Sequence, residues 1–599
     1  MKNFLLIGSS LFIFFNSAFG QQINGSKYPL NYFRNPLGIH IALTANFGEL
    51  RSNHWHMGFD MRTNQRENYP VFAAAEGYVS QIGIRPLSFG RFMIIKHPNG
   101  YSTLYAHLNE FYPELEKFVS KKQQEKQSWA IELEFSEKMF VVKKGDQIAK
   151  SGNTGGSQGP HLHFEILNTL TGRSLNTSLF GFDIKDDVPP VIKRLAVYDR
   201  GTSTYFQSPK LISTHKTVKG YFLKPLKILT GNTKLSFAIE AIDQVSGAAG
   251  ANGIYGAILY VDNRPQIQFL IDNMNYRESE FVNAHIDWRH KYNGGTYLQH
   301  LSRLPGYTGR VYMDISSTGI IELKDTAVHS VKIEVFDTND NRSVLFFDIQ
   351  FSDSLARLQK RTAAGKQLIP GKINSLKEKE FETTMPENSF YDTLPLVYFR
   401  HNIFLPAAVS AQHRLNDPQY PVHTPITVRI KPTAIILDSL REKVLMQREW
   451  NGRKTVKKVQ WQNGWAIASF GDFGNFQLFL DETDPELKPP VTEKDTMDFS
   501  SLTRIKLTPT DNFGIKSFRA ELNGKWLKFT NDKARDFIYI FDEQCPYGTH
   551  QLKVRVEDLV GNFTEKIWWF KRNPYKPPVK KKPVRKKPTV SGKTVIKKK

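Results

Sequence analysis

Short alternating runs of apolar and polar residues, broken by turn residues, are the dominant pattern in this chain. In residues 28–168, Pro70-Val-Phe-Ala73 runs into Glu76-Gly-Tyr-Val79 as strand, turn and strand. Phe92 to Lys96 reads as an apolar strand closed by Pro98-Asn-Gly100, and Tyr101 to Leu108 as its returning partner. Residues 109–140 interrupt the pattern. Pro113, Leu115, Phe118 and Val119 predict a short helix with proline in its first turn, and Ile131, Leu133 and Phe135 a strand. The β pattern resumes over Val141 to Gly152.

Two later segments repeat one another. His329-Ser-Val-Lys-Ile-Glu-Val-Phe-Asp337-Thr-Asn-Asp-Asn341 aligns with His550-Gln-Leu-Lys-Val-Arg-Val-Glu-Asp558-Leu-Val-Gly-Asn562 at an offset of 221. Upstream of each is a second pair, ending at Asp243 in one copy and Asp511 in the other. Strands that end in Asp, Asn and Gly turns predict immunoglobulin-like β-sandwich modules. In the second copy Leu552, Val554 and Val556 face one way and Lys553, Arg555 and Glu557 the other. The expected class is mainly β: an N-terminal antiparallel β domain over 21–185, then several β-sandwich modules. These fall at 186–352 (with an insertion), 391–483 and 484–571, with a polar linker over 353–390.

A length of 599 residues suits several domains, and 40% hydrophobic with 23% charged residues excludes a mainly disordered or fibrous chain. The formal charge of +23 is unevenly spread. Residues 571–599 hold 13 Lys/Arg and no acid, so 572–599 reads as an extended Pro/Lys-rich tail, able to touch an anionic wall or membrane surface. An exported protein has little access to nucleic acid, so none is expected as partner. Export is expected because Lys2, the apolar run Phe4 to Phe15 and small residues at Ala18 and Gly20 form a signal peptide over 1–20. The expected location is the periplasm or cell envelope. The single cysteine, Cys545, permits no intrachain disulfide and reads as a buried small hydrophobe. No protein partner is legible.

The chemistry concentrates in the first 170 residues, in His54-Trp-His56-Met-Gly-Phe-Asp60 and Pro160-His161-Leu-His163-Phe-Glu165. Two residues apart on a strand, His161 and His163 point to one face and can serve one cavity. Histidine nitrogen and aspartate oxygen are ordinary zinc ligands, and His56 and Asp60 can converge if Gly58 lets the chain turn. Each piece alone is weak. His54 and His97 read as structural or surface residues. Glu165, two residues past His163 and so on its face, has two readings, a support for that histidine and, favoured here, a solvated carboxylate.

The ordered set is specific. His56…Asp60, Tyr105-Ala-His107-Leu, then Ser151-Gly-Asn-Thr-Gly-Gly-Ser-Gln-Gly-Pro-His161-Leu-His163-Phe-Glu resembles the LytM/lysostaphin-type zinc metalloendopeptidases over about residues 40–168. The resemblance implies one zinc per chain on His56, Asp60 and His163, with His107 and His161 as the catalytic pair beside it. It implies hydrolysis of peptide bonds in peptidoglycan cross-links, with a metal-activated water as nucleophile. The alternative is a non-enzymatic wall-binding or hydrolase-activating protein on the same fold, since some relatives have lost ligands and serve only as activators of other wall hydrolases; the five positions are all present here, which argues against it.

Overall fold

The computed structural model describes residues 28–246, 250–357, 365–403 and 405–574. The expected signal peptide and nearly all of the basic tail lie outside these residues. The fold is mainly β. The chain forms two compact units. One runs to Thr483 and includes Asn531–Arg535 and Leu559–Asn562; the other takes Asp484–Thr530, Asp536–Asp558 and the chain from Phe563.

In the first unit, the N-terminal domain rests on one antiparallel sheet. Its path is Leu43–Ala45, Phe59–Arg62, His161–Asn168, Tyr101–Ala106, Arg91–Lys96, Gly77–Ile84 and Ile131–Glu134. A three-stranded sheet of Pro70–Phe72, Gln147–Ser151 and Leu108–Phe111 accompanies it. One core gathers Phe59, Val79, Ile82, Tyr105, Leu162, Phe164 and Ile166. Each such side chain removed from water contributes about 1.5–3 kcal/mol before entropy is counted. The expected helix is Pro113–Lys126, with proline at its start, Glu114 and Glu116 in its first turn and Lys126 in its last. Leu115, Val119 and Gln123, spaced four apart, form its buried stripe.

Eleven strands between Val191 and Phe351 build the next sheet, over a second large core. The repeated segment forms the first strand and the turn of the hairpin Val328–Phe336 with Arg342–Phe351. The stretch read as a linker, 353–390, is a correction. Asn374–Lys377 and Phe381–Met385 are paired strands, and the second also pairs with Ile426–Ile430. Leu376, Phe381, Thr383 and Met385 are buried; the charged run Lys377-Glu-Lys-Glu380, which ends the first strand and forms the turn, disguised their alternation. Two five-stranded sheets then share a core built around Phe381, Ile426, Val444 and Phe476.

The second unit holds a five-stranded sheet centred on Gly548–Asp558 and Phe563–Arg572. Leu552, Val554 and Val556 are buried, as their alternation predicts, and Cys545 is a buried free thiol.

Candidate metal centre

Three neighbouring strands of the N-terminal sheet assemble the site. His163 pairs directly across from Asp60 on one side and from Ala106 on the other. The residue after Ala106 is His107, so strand pairing alone brings His107, Asp60 and His163 together. Along His161–Asn168, Leu162, Phe164 and Ile166 enter the core, which turns His161, His163 and Glu165 to the opposite face.

His56 reaches the same point from the segment before Phe59–Arg62. Gly58 allows this by close approach rather than by a left-handed turn. A Cβ there would stand 2.3 Å from the Phe164 carbonyl oxygen and 2.8 Å from Glu165 Cγ. His107 is the conformational exception, with φ at +59°, an uncommon region for a side-chain-bearing residue. It sits where the chain passes from Tyr101–Ala106 into Leu108–Phe111 of the smaller sheet, and such strain is often held at functional sites.

Three donor atoms converge. Asp60 Oδ1 is 3.0 Å from His56 Nε2 and 2.9 Å from His163 Nδ1, and the two nitrogens are 3.1 Å apart. Ligands at 2.0–2.1 Å from a tetrahedral zinc are separated by about 3.3 Å, so this triangle fits such an ion with little movement. His161 Nε2 stands beside it, 3.4 Å from Asp60 Oδ1. The His107 ring lies 4.8 Å from that of His161 and 6.0 Å from that of His163.

Each imidazole has its other nitrogen fixed. His56 Nδ1 donates to the Asn46 carbonyl at 2.8 Å, which leaves Nε2 as a lone-pair donor. His163 Nε2 donates to Glu165 Oε1 at 2.8 Å, which leaves Nδ1. His107 Nδ1 donates to the Thr154 carbonyl and His161 Nδ1 to the Gly159 carbonyl, both at 2.8 Å. Carbonyls only accept, so these contacts set the tautomers. Asp60 Oδ2, the oxygen outside the triangle, is held by Arg51 Nη2 at 3.1 Å.

Glu165 departs from its expected solvated state. It has no exposed surface and accepts from Ser174 Oγ at 2.6 Å and from the Tyr276 hydroxyl at 2.7 Å, besides His163. Its position on the His163 face was legible; Tyr276, 111 residues away, carried no sequence signal. Arg51 and Asn46 were also missed, since their contacts depend on how the short hairpin of Leu50–Arg51 with His54–Trp55 and the turn before it fold. His97 is structural as expected, bonded to the Glu76 carbonyl and to Thr103 Oγ1.

The electrostatics follow from burial and mutual contact. Burial pushes the Asp60 carboxyl up, but His56, His161 and His163 outweigh it and hold it well below the usual carboxylate range. Burial, then His163 and His161, lowers His107 to about 3, so it is neutral at physiological pH. Burial lowers His163 too, yet Asp60 and Glu165 raise it overall to about 9 in the metal-free protein.

Residues 54–124 and 133–177 match the family model for peptidase family M23, and residues 366–481 that for a Zu5-like domain. The gap in the first match falls at the end of helix Pro113–Lys126 and the turn after it. An uncharacterized metalloprotease of Haemophilus influenzae is 35% identical over 121 residues, 20% of this chain and 20% of that protein. Peptidoglycan DD-endopeptidase ShyA of Vibrio cholerae is 31% identical over 120 residues, 20% of this chain and 22% of that protein. The match thus spans about a fifth of these relatives' length. The catalytic domain of the prophage-encoded M23 protein EnpA from Enterococcus faecalis is 20% identical, with 25% of this chain and 95% of that chain covered and a TM-score of 0.18.

Proposed function

With a peptidase family M23 domain in its N-terminal part, we propose that this chain is an exported zinc endopeptidase that cleaves peptide cross-links of peptidoglycan. The observation that carries this reading is the triangle of His56 Nε2, Asp60 Oδ1 and His163 Nδ1, with two further imidazoles beside it. Two nitrogens and one carboxylate oxygen are a hydrolytic zinc set, and three protein ligands leave a position for substrate chemistry. A zinc ion held there supplies Lewis acidity, polarising a peptide carbonyl and making water a better nucleophile.

The protein's own groups do the rest. Glu165 fixes the His163 ring and raises its basicity, while Arg51 and the Asn46 carbonyl orient Asp60 and His56. With Nδ1 committed, His107 and His161 present Nε2 to the reacting atoms. Neutral His107 has a lone pair there to accept a proton. Between them the two rings take the proton of the attacking water, hydrogen-bond the developing oxyanion and return the proton to the leaving amine.

The substrate class rests on the curated relatives and on the shape of the problem: a peptide joining stiff glycan strands needs an enzyme that approaches it from outside. The periplasm or cell envelope is the proposed location, from the signal-peptide pattern at 1–20. The β modules, read as immunoglobulin-like, position the peptidase domain. The basic tail adds salt-sensitive attraction to an anionic surface, acting over about 8 Å at physiological ionic strength. Incubation of zinc-loaded protein with purified cross-linked muropeptides tests the reading. Loss of cross-linked dimers with matching gain of monomers is expected, and unchanged dimers would reject it.

A further inference from the structure

A second group of acidic side chains stands well outside the histidine cluster in sequence. Asp186 lies in the segment that leaves the N-terminal domain, Asp243 just beyond strand Lys234–Ile242 and Asp337 just beyond strand Val328–Phe336. Each offers a carboxylate oxygen, and the three oxygens lie within 4.8 Å of one another. Asp243 and Asp337 are each only 3% exposed. No ion pair joins any of the three to a Lys, Arg or His among the described residues; the neighbouring Lys185 pairs with Asp187 instead.

The hydrogen bonds do not satisfy this cluster. Asp337 is fully engaged: Oδ1 accepts from the backbone N–H groups of Asn339 and Asn341, and Oδ2 from Asn341 Nδ2. The side chains of Asn339 and Asn341 also donate to the Asp186 carbonyl, which ties this turn to the inter-domain segment. Asp186 Oδ1 accepts from the Val188 N–H. Asp243 differs: its Oδ1 is buried and has no hydrogen-bond partner. A buried carboxylate oxygen with no donor, beside two further carboxylates, is unfavourable unless something positive or protic fills the space. Burial, then Asp337 and Asp186, push the Asp243 carboxyl up to about 8.

The sequence repeats the arrangement. Asp243 and Asp337 occupy the positions that Asp511 and Asp558 occupy in the last module, each pair within the duplicated strand-and-turn segments. A turn needs one Asx side chain, whereas both copies hold an acid at both positions. We propose that Asp186, Asp243 and Asp337 bind a calcium-class divalent cation where the first β module meets the segment from the N-terminal domain. The donors are all oxygen, which selects hard cations over zinc, and three carboxylates with room for carbonyls and water suit calcium's high coordination number. The ion would cross-link three stretches of chain distant in sequence and so stiffen the root of the module.

The test uses the full chain with its zinc retained, depleted of calcium, then titrated with calcium chloride or with magnesium chloride. Bound calcium and zinc per chain are read by elemental analysis after dialysis, and melting temperature in parallel. The expected result is a calcium-dependent rise in melting temperature. Asp243→Asn should bind one calcium fewer per chain and lose that rise, with zinc content unchanged. Because the Asp243 carboxyl is largely protonated at neutral pH without calcium, the neutral Asp243→Asn should melt close to the calcium-free parent. Should it nonetheless misfold, Asp186→Asn, at a half-buried position, must show the same loss of one calcium. Equal calcium content in the parent and the folded variant, no calcium bound at millimolar concentration, or a response to magnesium alone would overturn the proposal.

Discussion

Glu165 Oε1 lies 2.8 Å from His163 Nε2, and its carboxylate has no exposed surface. The relationship fixes which nitrogen of His163 faces the cluster. On the proposed ligand set it makes Glu165 a positioning residue, acting through His163 rather than on substrate. Glu165→Gln keeps the shape but removes the charge. It should weaken zinc binding by about 10–100-fold, measured by competition with a chromophoric chelator, with little change in melting temperature. Unchanged zinc affinity would return Glu165 to a purely structural role.

His107 and His161 stand beside the donor triangle without completing it. His107→Ala and His161→Ala should each retain most of the zinc yet lose about 10²-fold or more in rate, the scale of proton-transfer and oxyanion terms. Zinc content and turnover measured on the same preparations separate the roles. Loss of zinc in either variant would make that residue a ligand.

On the proposed ligand assignment, protons compete with zinc at His163. In the metal-free protein burial pulls its pKa down, but Asp60 and Glu165 hold it at about 9. Below that pH the metal-free ring is charged, so zinc binding must expel a proton and acidification favours release. Zinc affinity should fall about tenfold for each pH unit lowered from neutrality. Equilibrium dialysis across pH checks the slope, and a flat profile would contradict the assignment of His163 Nδ1 as ligand.

How much of this was legible follows from which contacts are local. The His161/His163 pair shares a face by strand parity alone, and the helix at Pro113 announced itself by proline placement and the Leu115/Val119 spacing. The resemblance to the zinc peptidases joined His56, Asp60 and His107 to them, although strand pairing is what brings them together. Glu165 was misread because its partners, Ser174 and Tyr276, come from elsewhere in the chain, and an isolated glutamate is ordinarily exposed. The strands within 353–390 were hidden by the charged run at 377–380, three residues of which form the tight turn between two of them. At Gly58 the sequence suggests conformational freedom, whereas close packing is what the position requires.

Gly58→Ala tests that last point. The added methyl would meet the Phe164 carbonyl oxygen at 2.3 Å, so the strand edge must shift. A destabilisation of about 1–3 kcal/mol is expected, read from the denaturant midpoint, together with weaker zinc binding because Glu165 is the next residue displaced. A neutral effect on both would show that the contact relaxes freely.

The central claim is that His56, Asp60 and His163 hold the zinc of a peptidoglycan-cleaving enzyme. Mass spectrometry of purified sacculi digested with the zinc-loaded protein and with His163→Ala, with total zinc measured on each, addresses it most directly. The account predicts new peptide termini at cross-links with the parent protein, abolished by chelation and restored by zinc. It predicts neither bound zinc nor cleavage with His163→Ala. Parent-like cleavage by that variant, or intact cross-links after digestion with the zinc-loaded parent, would contradict it.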